Sequence, residues 1–306
     1  MTKVRIGVAG AGVFGNNHAN KIKANPRAHL VGFLDHDIER AHALANSHAS
    51  STTSCRGFDD IEALLPQIDA LVVAVPAIYH FEIAQKALAA GKHCLVEKPL
   101  APTYTDAMAL CELAVRNSVI LQVGHQERYI FEAMGLLAIA EAPIKLEAVR
   151  IGLPSPRGAD VSATLDLMVH DIDLASLLFK SEPRTITSKR LSGTPENPDA
   201  IEAHVVFENG GEANFIASRA SQTRDRRMRI EYGGGNVEID FFQKSFENTS
   251  PHTLRADYLE LIPDAMQAAT NDFVSAILGE KPVQISGLDG AKAVKIANAI
   301  DAASQN

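Results

Sequence analysis

The feature that most constrains this chain is the run Gly10-Ala11-Gly12-Val13-Phe14-Gly15, placed directly after the apolar stretch Val4–Ala9. In a G-x-G-x-x-G that leaves a strand and opens a helix, each glycine has a physical purpose. The first permits a tight turn, the second lets a pyrophosphate approach the backbone, and the third allows close packing of helix on strand. The helix N-terminus then offers free N–H groups and a partial positive charge to the phosphates. Alone the pattern is a weak sign, and its surroundings supply the rest. Asp35 ends a second apolar run, His29–Leu34, about 20 residues beyond Gly15, where an acid bonds the ribose hydroxyls of an adenosine. A carboxylate there accepts from a free 2′-hydroxyl and repels a 2′-phosphate, so NAD is expected ahead of NADP. The plainer reading of Asp35, a strand-end acid starting a turn, needs no ligand.

The first third of the chain keeps a βαβ rhythm. A helix runs from Val13 to before Pro26, and another over Asp37–His48 repeats Ile38, Ala41, Leu44 and Ala45 on one face. Ala70–Val75 is an uninterrupted apolar strand, as expected where helices cover both faces of a parallel sheet. Ile78–Ala90 reads as a helix stopped by Gly91, His93–Glu97 as a strand, Thr103–Asn117 as a helix and Val119–Val123 as a strand. After Gly124 the rhythm changes to consecutive strands: Lys145–Ile151, Arg184–Leu191, Glu202–Glu208, Glu212–Ser218, Arg227–Glu231 and Val237–Phe241. Asn209-Gly210 predicts a hairpin in which both central residues take positive φ, and Gly233-Gly234-Gly235 predicts a second tight turn. Thr164–Phe179 reads as one long helix, and Asp264–Leu278 and Leu288–Ala303 as two closing helices. The expectation is an α/β Rossmann domain over 1–123, then an α+β domain over 124–306 with a largely antiparallel, open-faced sheet. The open face needs a cover, and a second copy in a homodimer or homotetramer is the simplest one.

Composition narrows the partners. The 306 residues carry 29 Lys+Arg against 37 Asp+Glu, a formal net charge of −8, which argues against nucleic acid or an anionic membrane as partner. No apolar run approaches the ~20 residues that cross a bilayer. Lys3 and Arg5 before an apolar stretch imitate a signal peptide, but that stretch continues into the glycine motif, so a cytoplasmic protein is expected. Cys55, Cys94 and Cys111 form no C-x-x-C and read as buried, reduced thiols. The eleven histidines show no ligand spacing with a third ligand nearby, so no metal is expected.

Several segments carry a family resemblance. Val75-Pro76 followed by His80, then Ala87-Leu88-Ala89-Ala90-Gly91-Lys92-His93, then Glu97-Lys98-Pro99-Leu100-Ala101, resembles the glucose-fructose oxidoreductase / inositol dehydrogenase / rhizopine-catabolism family. The Glu-Lys-Pro triplet at a strand end is the most specific mark. Asp166-Leu167-Met168-Val169-His170 is similar to the family's Asp-x-x-x-His pair, and Gly124-His125-Gln126-Glu127-Arg128-Tyr129 to the segment that leaves its Rossmann domain. One departure stands out. Many members lead into the Asp-x-x-x-His helix through glycines, whereas this chain reads Asp160-Val161-Ser162-Ala163-Thr164.

The resemblance implies an NAD-dependent dehydrogenase acting on CH–OH donors, and the chemistry of the residues agrees with it. Lys98 lies at a strand's carboxyl end, where doubly wound folds bind ligands, and its ammonium can stabilise a developing alkoxide. Asp166 and His170 are spaced i, i+4 and share a helix face. His170 can accept a hydroxyl proton near neutral pH, and Asp166 would bind a neighbouring hydroxyl. His80 and Glu97 resemble residues at the nicotinamide end, with Val75, Pro76, Val13 and Phe14 lining the cofactor; packing is the plainer role for each. Arg128 would hold an anionic part of the substrate or form an ion pair at the domain interface. His18 is either an ordinary helix-surface histidine or a neighbour of the ligand. The expected geometry brings Lys98 and His170 together over a nicotinamide ring. Val123–Tyr129 with Leu165–Leu174 look most like members oxidising the 3-hydroxyl of a UDP-N-acetylhexosamine; a free sugar or inositol comes next. The rival reading is a protein that senses NAD(H) without turnover, which would have no need of both Lys98 and His170.

Overall fold

The computed structural model describes residues 3–50, 54–154 and 158–305. The chain divides into two compact units, 1–126 with 264–291, and 127–263 with 292–306. Among the described residues no helix is long and apolar enough to cross a membrane.

The first unit is a six-stranded sheet of β1 (Val4–Ala9), β2 (Ala28–Leu34), β3 (Arg56–Phe58), β4 (Ala70–Val73), β5 (His93–Val96) and β6 (Leu121–Val123). All pairs are parallel, in the order β3-β2-β1-β4-β5-β6. This is the Rossmann order, which reverses between β1 and β4. The sequence explains the sheet: β4 is buried at every position, because helices cover both faces. Those helices are α1 (Val13–Ala24), α2 (Ile38–His48), the short α3 (Ile61–Leu64), α4 (His80–Ala89) and α5 (Tyr104–Arg116). Asp37 caps α2 by accepting from Arg40 N, and Thr103 caps α5 by accepting from Asp106 N. The N-cap of α1 is Gly12, which has no side chain to satisfy the first N–H groups.

One late segment also belongs here. The helix α9 (Ala265–Ile277) was expected with the second domain, yet its Phe273 and Val274 are buried in the core of Ile6, Val8, Leu30, Phe33, Val72 and Leu95. Gln122 Nε2 donates to Ala269 O at 2.9 Å and Val123 N to Ile285 O at 3.1 Å. An amphipathic period says that a helix needs a core but not which one, so chain order alone misassigned it.

The second unit carries α6 (Glu127–Met134), β7 (Lys145–Ile151), α7 (Val169–Phe179), β8 (Pro183–Gly193), β9 (Pro198–Phe207), β10 (Glu212–Ser218), β11 (Asp225–Tyr232), β12 (Gly235–Asp240), β13 (Ser245–Asn248) and α8 (Tyr258–Leu261). The last helix, α10 (Gly287–Ala303), begins in the first unit's residues and ends in the second's. The sheet order is β13-β12-β11-β7-β10-β9-β8, antiparallel except for the β7–β10 pair. Alternation along β7 buries Leu146, Ala148 and Arg150, and along β11 it buries Met228, Ile230 and Tyr232. Leu191 and Ile216 stay 48% and 40% exposed on β8 and β10.

Two local expectations change. Thr164–Met168 is a π-helical turn before α7, where one uniform helix was expected. At the β9–β10 hairpin only Gly210 has positive φ, at 87°. Asn209 stays in an ordinary conformation because its side chain is engaged, donating to Phe179 O at 3.0 Å and accepting from Gly211 N at 3.1 Å.

Candidate active site

The glycine turn sits where β1 leaves the sheet. Gly10 has φ of +101°, and a Cβ there would lie 2.5 Å from Ala74 O; a Cβ at Gly15 would overlap Gly10 O. A Cβ at Gly12 would meet nothing within 4 Å. The space above Gly12 is therefore open while the other two glycines are filled by backbone. The first turn of α1 holds no acidic residue that would repel an anion. Asp35, 8% exposed, accepts Ala11 N at 2.8 Å and Asp37 N at 3.0 Å. His36 Nδ1 lies 3.1 Å from its Oδ1. An open glycine, a helix N-terminus with no side-chain cap and an acid one strand away fit a dinucleotide's pyrophosphate and ribose.

Further along the same carboxyl edge, the ends of β4 and β5 carry Val75, Pro76 and Glu97-Lys98-Pro99. Val75 is half-buried and Pro76 exposed; Val13 is 74% exposed and Phe14 half-buried. The peptide bond between Lys98 and Pro99 is cis. His80, 2% exposed, places Nδ1 2.6 Å from Pro99 O and Nε2 3.0 Å from Val75 O. Burial pushes this imidazole below the ordinary histidine range, against the pull of the two carbonyls. Glu97 is buried and bonded by His18 Nε2 at 2.7 Å and Gln126 Nε2 at 3.1 Å. Burial would raise the Glu97 carboxyl, but the His18 bond, with the charges of His18, Lys98 and His80, brings it below its usual value. Glu97 and Pro99 are thus tied down on either side of the half-buried Lys98. The structure gives His80 and Glu97 these internal partners.

In the second unit, His170 and Asp166 are both half-buried on the π-to-α segment. A Cβ added at Gly158 would overlap the Asp166 carboxylate. His170 Nδ1 lies 3.5 Å from Glu127 Oε1. Glu127 is a hub: Arg150 reaches it at 2.9 and 3.3 Å, and Arg226 pairs with it too. Arg150 also grips Asp171 at 2.6 and 2.8 Å. The Arg226 guanidinium, over the Phe241 ring, is pushed down to about 10 by burial and stays charged at neutral pH. Arg128, 6% exposed, grips Asp173 with bonds of 2.7 and 2.5 Å. Arg128 thus forms an ion pair, but inside its own unit and not at the domain interface where one was expected.

The residues missed from sequence are Glu127, Arg150 and Arg226. Their signal was in the alternation: Arg150 and Arg226 occupy the strand positions in phase with buried Leu146, Ala148, Met228 and Ile230. A cation at a core-facing position needs a buried anion. The three cysteines are buried and free, and burial pushes the Cys55 and Cys111 thiols up to about 11.

Comparison with known proteins places this geometry among relatives. Residues 4–125 match the model for an oxidoreductase family with an NAD-binding Rossmann fold, and residues 155–238 match the GFO/IDH/MocA C-terminal domain. The UDP-N-acetylglucosamine 3-dehydrogenase of Acidithiobacillus ferrooxidans is 33% identical over 97% of this chain and 96% of its own. Its solved structure superposes with a TM-score of 0.87 at 32% identity, covering 100% of this chain and 99% of that one. The inositol 2-dehydrogenase of Rhizobium meliloti is 25% identical over 97% of this chain and 95% of its own. The fold, at 18% identity, is shared by the WlbA dehydrogenase of Bordetella pertussis in complex with NADH and UDP-GlcNAcA, with a TM-score of 0.86 and coverage of 99% and 96%.

Proposed function

The chain belongs to the GFO/IDH/MocA family of NAD-binding oxidoreductases, and from that premise we propose that it oxidises a secondary hydroxyl of a sugar-like substrate. The observation that carries the reading is the order of groups along one sheet edge. Asp35 ends β2, the glycine turn ends β1, Val75 follows β4, and Lys98 follows β5. These are four neighbouring strands, so the edge spans roughly 14 Å at the usual strand spacing. Ribose, pyrophosphate and nicotinamide are read along it in that order.

Bound NAD supplies a hydride acceptor at its nicotinamide. The residues of this chain do the rest. Asp35 holds the ribose and disfavours a 2′-phosphate, and Val13, Phe14, Val75, Pro76, His80 and Glu97 shape the cofactor's bed. His170 takes the substrate hydroxyl's proton, Lys98 stabilises the charge building on its oxygen, and Asp166 binds a neighbouring hydroxyl. The carbinol thereby gives its proton to His170 and its hydride to the cofactor, leaving a ketone. The first unit supplies the cofactor's bed and Lys98, and the second supplies His170 and Asp166.

The substrate we assign is the 3-hydroxyl of a UDP-N-acetylhexosamine, with free sugars and inositol as the next class; the full-length similarity to the A. ferrooxidans enzyme supports this order. The test is absorbance at the reduced-nicotinamide band with NAD and a panel of UDP-sugars, sugars and inositols. Turnover is expected with a UDP-N-acetylhexosamine. Clear NAD binding with no turnover on any alcohol would favour a sensor instead. The exposed Leu191 and Ile216 support a second copy as the cover of the β8–β10 face, and a monomer by light scattering would contradict that.

A further inference from the structure

Arg150 and Arg226 stand directly opposite each other on the antiparallel strands β7 and β11. Like charges in that position repel, and both side chains turn toward the buried face of the sheet. The arrangement is tolerable because the Glu127 carboxylate, delivered by the first residue of α6, pairs with both guanidinium groups. Glu127 is therefore fixed by two cations from two strands. The buried Nδ1 of His170 faces that same carboxylate, 3.5 Å from Oε1.

We infer that Glu127 is the positioning residue for His170, holding the imidazole with Nδ1–H toward the carboxylate so that Nε2 keeps the lone pair that accepts the substrate's proton. The inference rests on the reading of His170 as the base. A base that takes a proton at one ring nitrogen becomes an imidazolium, and a carboxylate against the other nitrogen fixes the tautomer and compensates the charge. At 3.5 Å the pair is looser than a hydrogen bond at rest. Protonation at Nε2 draws Nδ1–H onto Oε1. Glu127 accepts this hydrogen bond and takes no proton itself. The clamp by Arg150 and Arg226 keeps the carboxylate from rotating away, which assigns the two arginines a purpose beyond packing. Asp166, on the π-helical turn that precedes His170, remains the residue for a neighbouring hydroxyl.

The experiment is a two-bond proton–nitrogen spectrum of 15N-histidine-labelled protein above the ring's titration, with His170 assigned by its loss in His170→Gln. The expected wild-type ring carries its proton on Nδ1. In Glu127→Gln, whose amide oxygen can still receive the arginines, the ring becomes a tautomer mixture. Its kcat falls at least tenfold, while the dissociation constant for NAD stays within about twofold. A wild-type ring protonated on Nε2 overturns the inference, and it decides alone should Glu127→Gln fail to fold. A Glu127→Gln protein with unchanged tautomer and rate overturns it while leaving the base reading intact. A His170→Gln protein at full rate removes the base reading, and this one with it.

Discussion

The carboxylate of Asp35, at the end of β2, accepts the backbone N–H of Ala11 inside the glycine turn at 2.8 Å. The acid expected to read the ribose therefore also braces the loop that receives the pyrophosphate. Asp35→Ala strips acceptors from Ala11 N and Asp37 N, and a hydrogen bond to a charged group is worth about 1.5–3 kcal/mol. The expected outcome is at least tenfold weaker NAD binding, a relaxed preference against NADP, and a lower melting temperature without cofactor. Calorimetric titration with both dinucleotides checks it; an unmoved preference would remove Asp35 from the ribose.

The three glycines separate folding from binding. A Cβ at Gly15 overlaps Gly10 O, whereas at Gly12 it meets nothing within 4 Å, and Gly12 has an ordinary φ of −91°. Gly15→Ala should lower apo stability by more than 1 kcal/mol through overpacking. Gly12→Ala should melt like the wild type yet bind NAD at least tenfold more weakly, because its methyl occupies the space read as the pyrophosphate's. Denaturation without cofactor, run beside NAD titration, distinguishes the two; equal NAD affinity in Gly12→Ala and wild type would place the phosphates elsewhere.

Lys98 is flanked by residues with buried partners, Glu97 on one side and Pro99 on the other. Replacing its ammonium should therefore leave the backbone in place. Lys98→Met is expected to lower kcat by at least a hundredfold, as the loss of one oxyanion-stabilising group does, with NAD affinity changed less than about threefold. Steady-state kinetics and cofactor titration check this, and a wild-type rate would remove Lys98 from its role.

The legible parts of the fold were those written in one period. β4 reads as a continuous apolar run and is buried throughout, and the glycine motif and Asp35 directly follow β1 and β2, at the strand ends read from the sequence. What stayed hidden depended on partners far away in sequence. Phe273 and Val274 joined the first core across a gap of nearly the whole second unit. His18, undecided from sequence, proved fully buried because Glu97 meets it 79 positions away. Arg150 and Arg226 sat in the apolar phase of their strands, where a charge reads as noise until Glu127 and Asp171 arrive opposite.

The pairing of Arg128 with Asp173 distinguishes a structural cation from a substrate ligand. Removing one partner of a buried pair leaves an uncompensated charge and costs about 3–5 kcal/mol. Arg128→Leu and Asp173→Leu should each destabilise by that order, and the double variant by much less than their sum. Urea denaturation of the four proteins measures the coupling. An Arg128→Leu protein of normal stability with a raised substrate KM would return Arg128 to the substrate.

The lead into the His170 helix departs from the glycine-rich family pattern, and Asp301 shows what replaces it. Ser162 Oγ and Thr164 Oγ1 donate to its carboxylate at 2.6 and 2.5 Å, pinning the segment before Asp166 to α10. Burial raises the Asp301 carboxyl above its usual value of 3.8, and the two hydroxyl bonds only partly oppose this. Folding thus favours the protonated form. The stabilisation from this group is complete below the unfolded value and is lost as pH rises through the raised folded one. Near neutral pH the folded protein holds a carboxylate that would be better hydrated in the unfolded chain. Asp301→Asn removes that ionisation, so between pH 4 and pH 7 the stability of the variant relative to wild type should increase and then level off above the raised folded value. Urea midpoints of both proteins across that range test it, because titrations common to the two cancel in the difference. A difference that does not move with pH would mean that Asp301 titrates alike folded and unfolded, and that its contact with Ser162 and Thr164 is solvated.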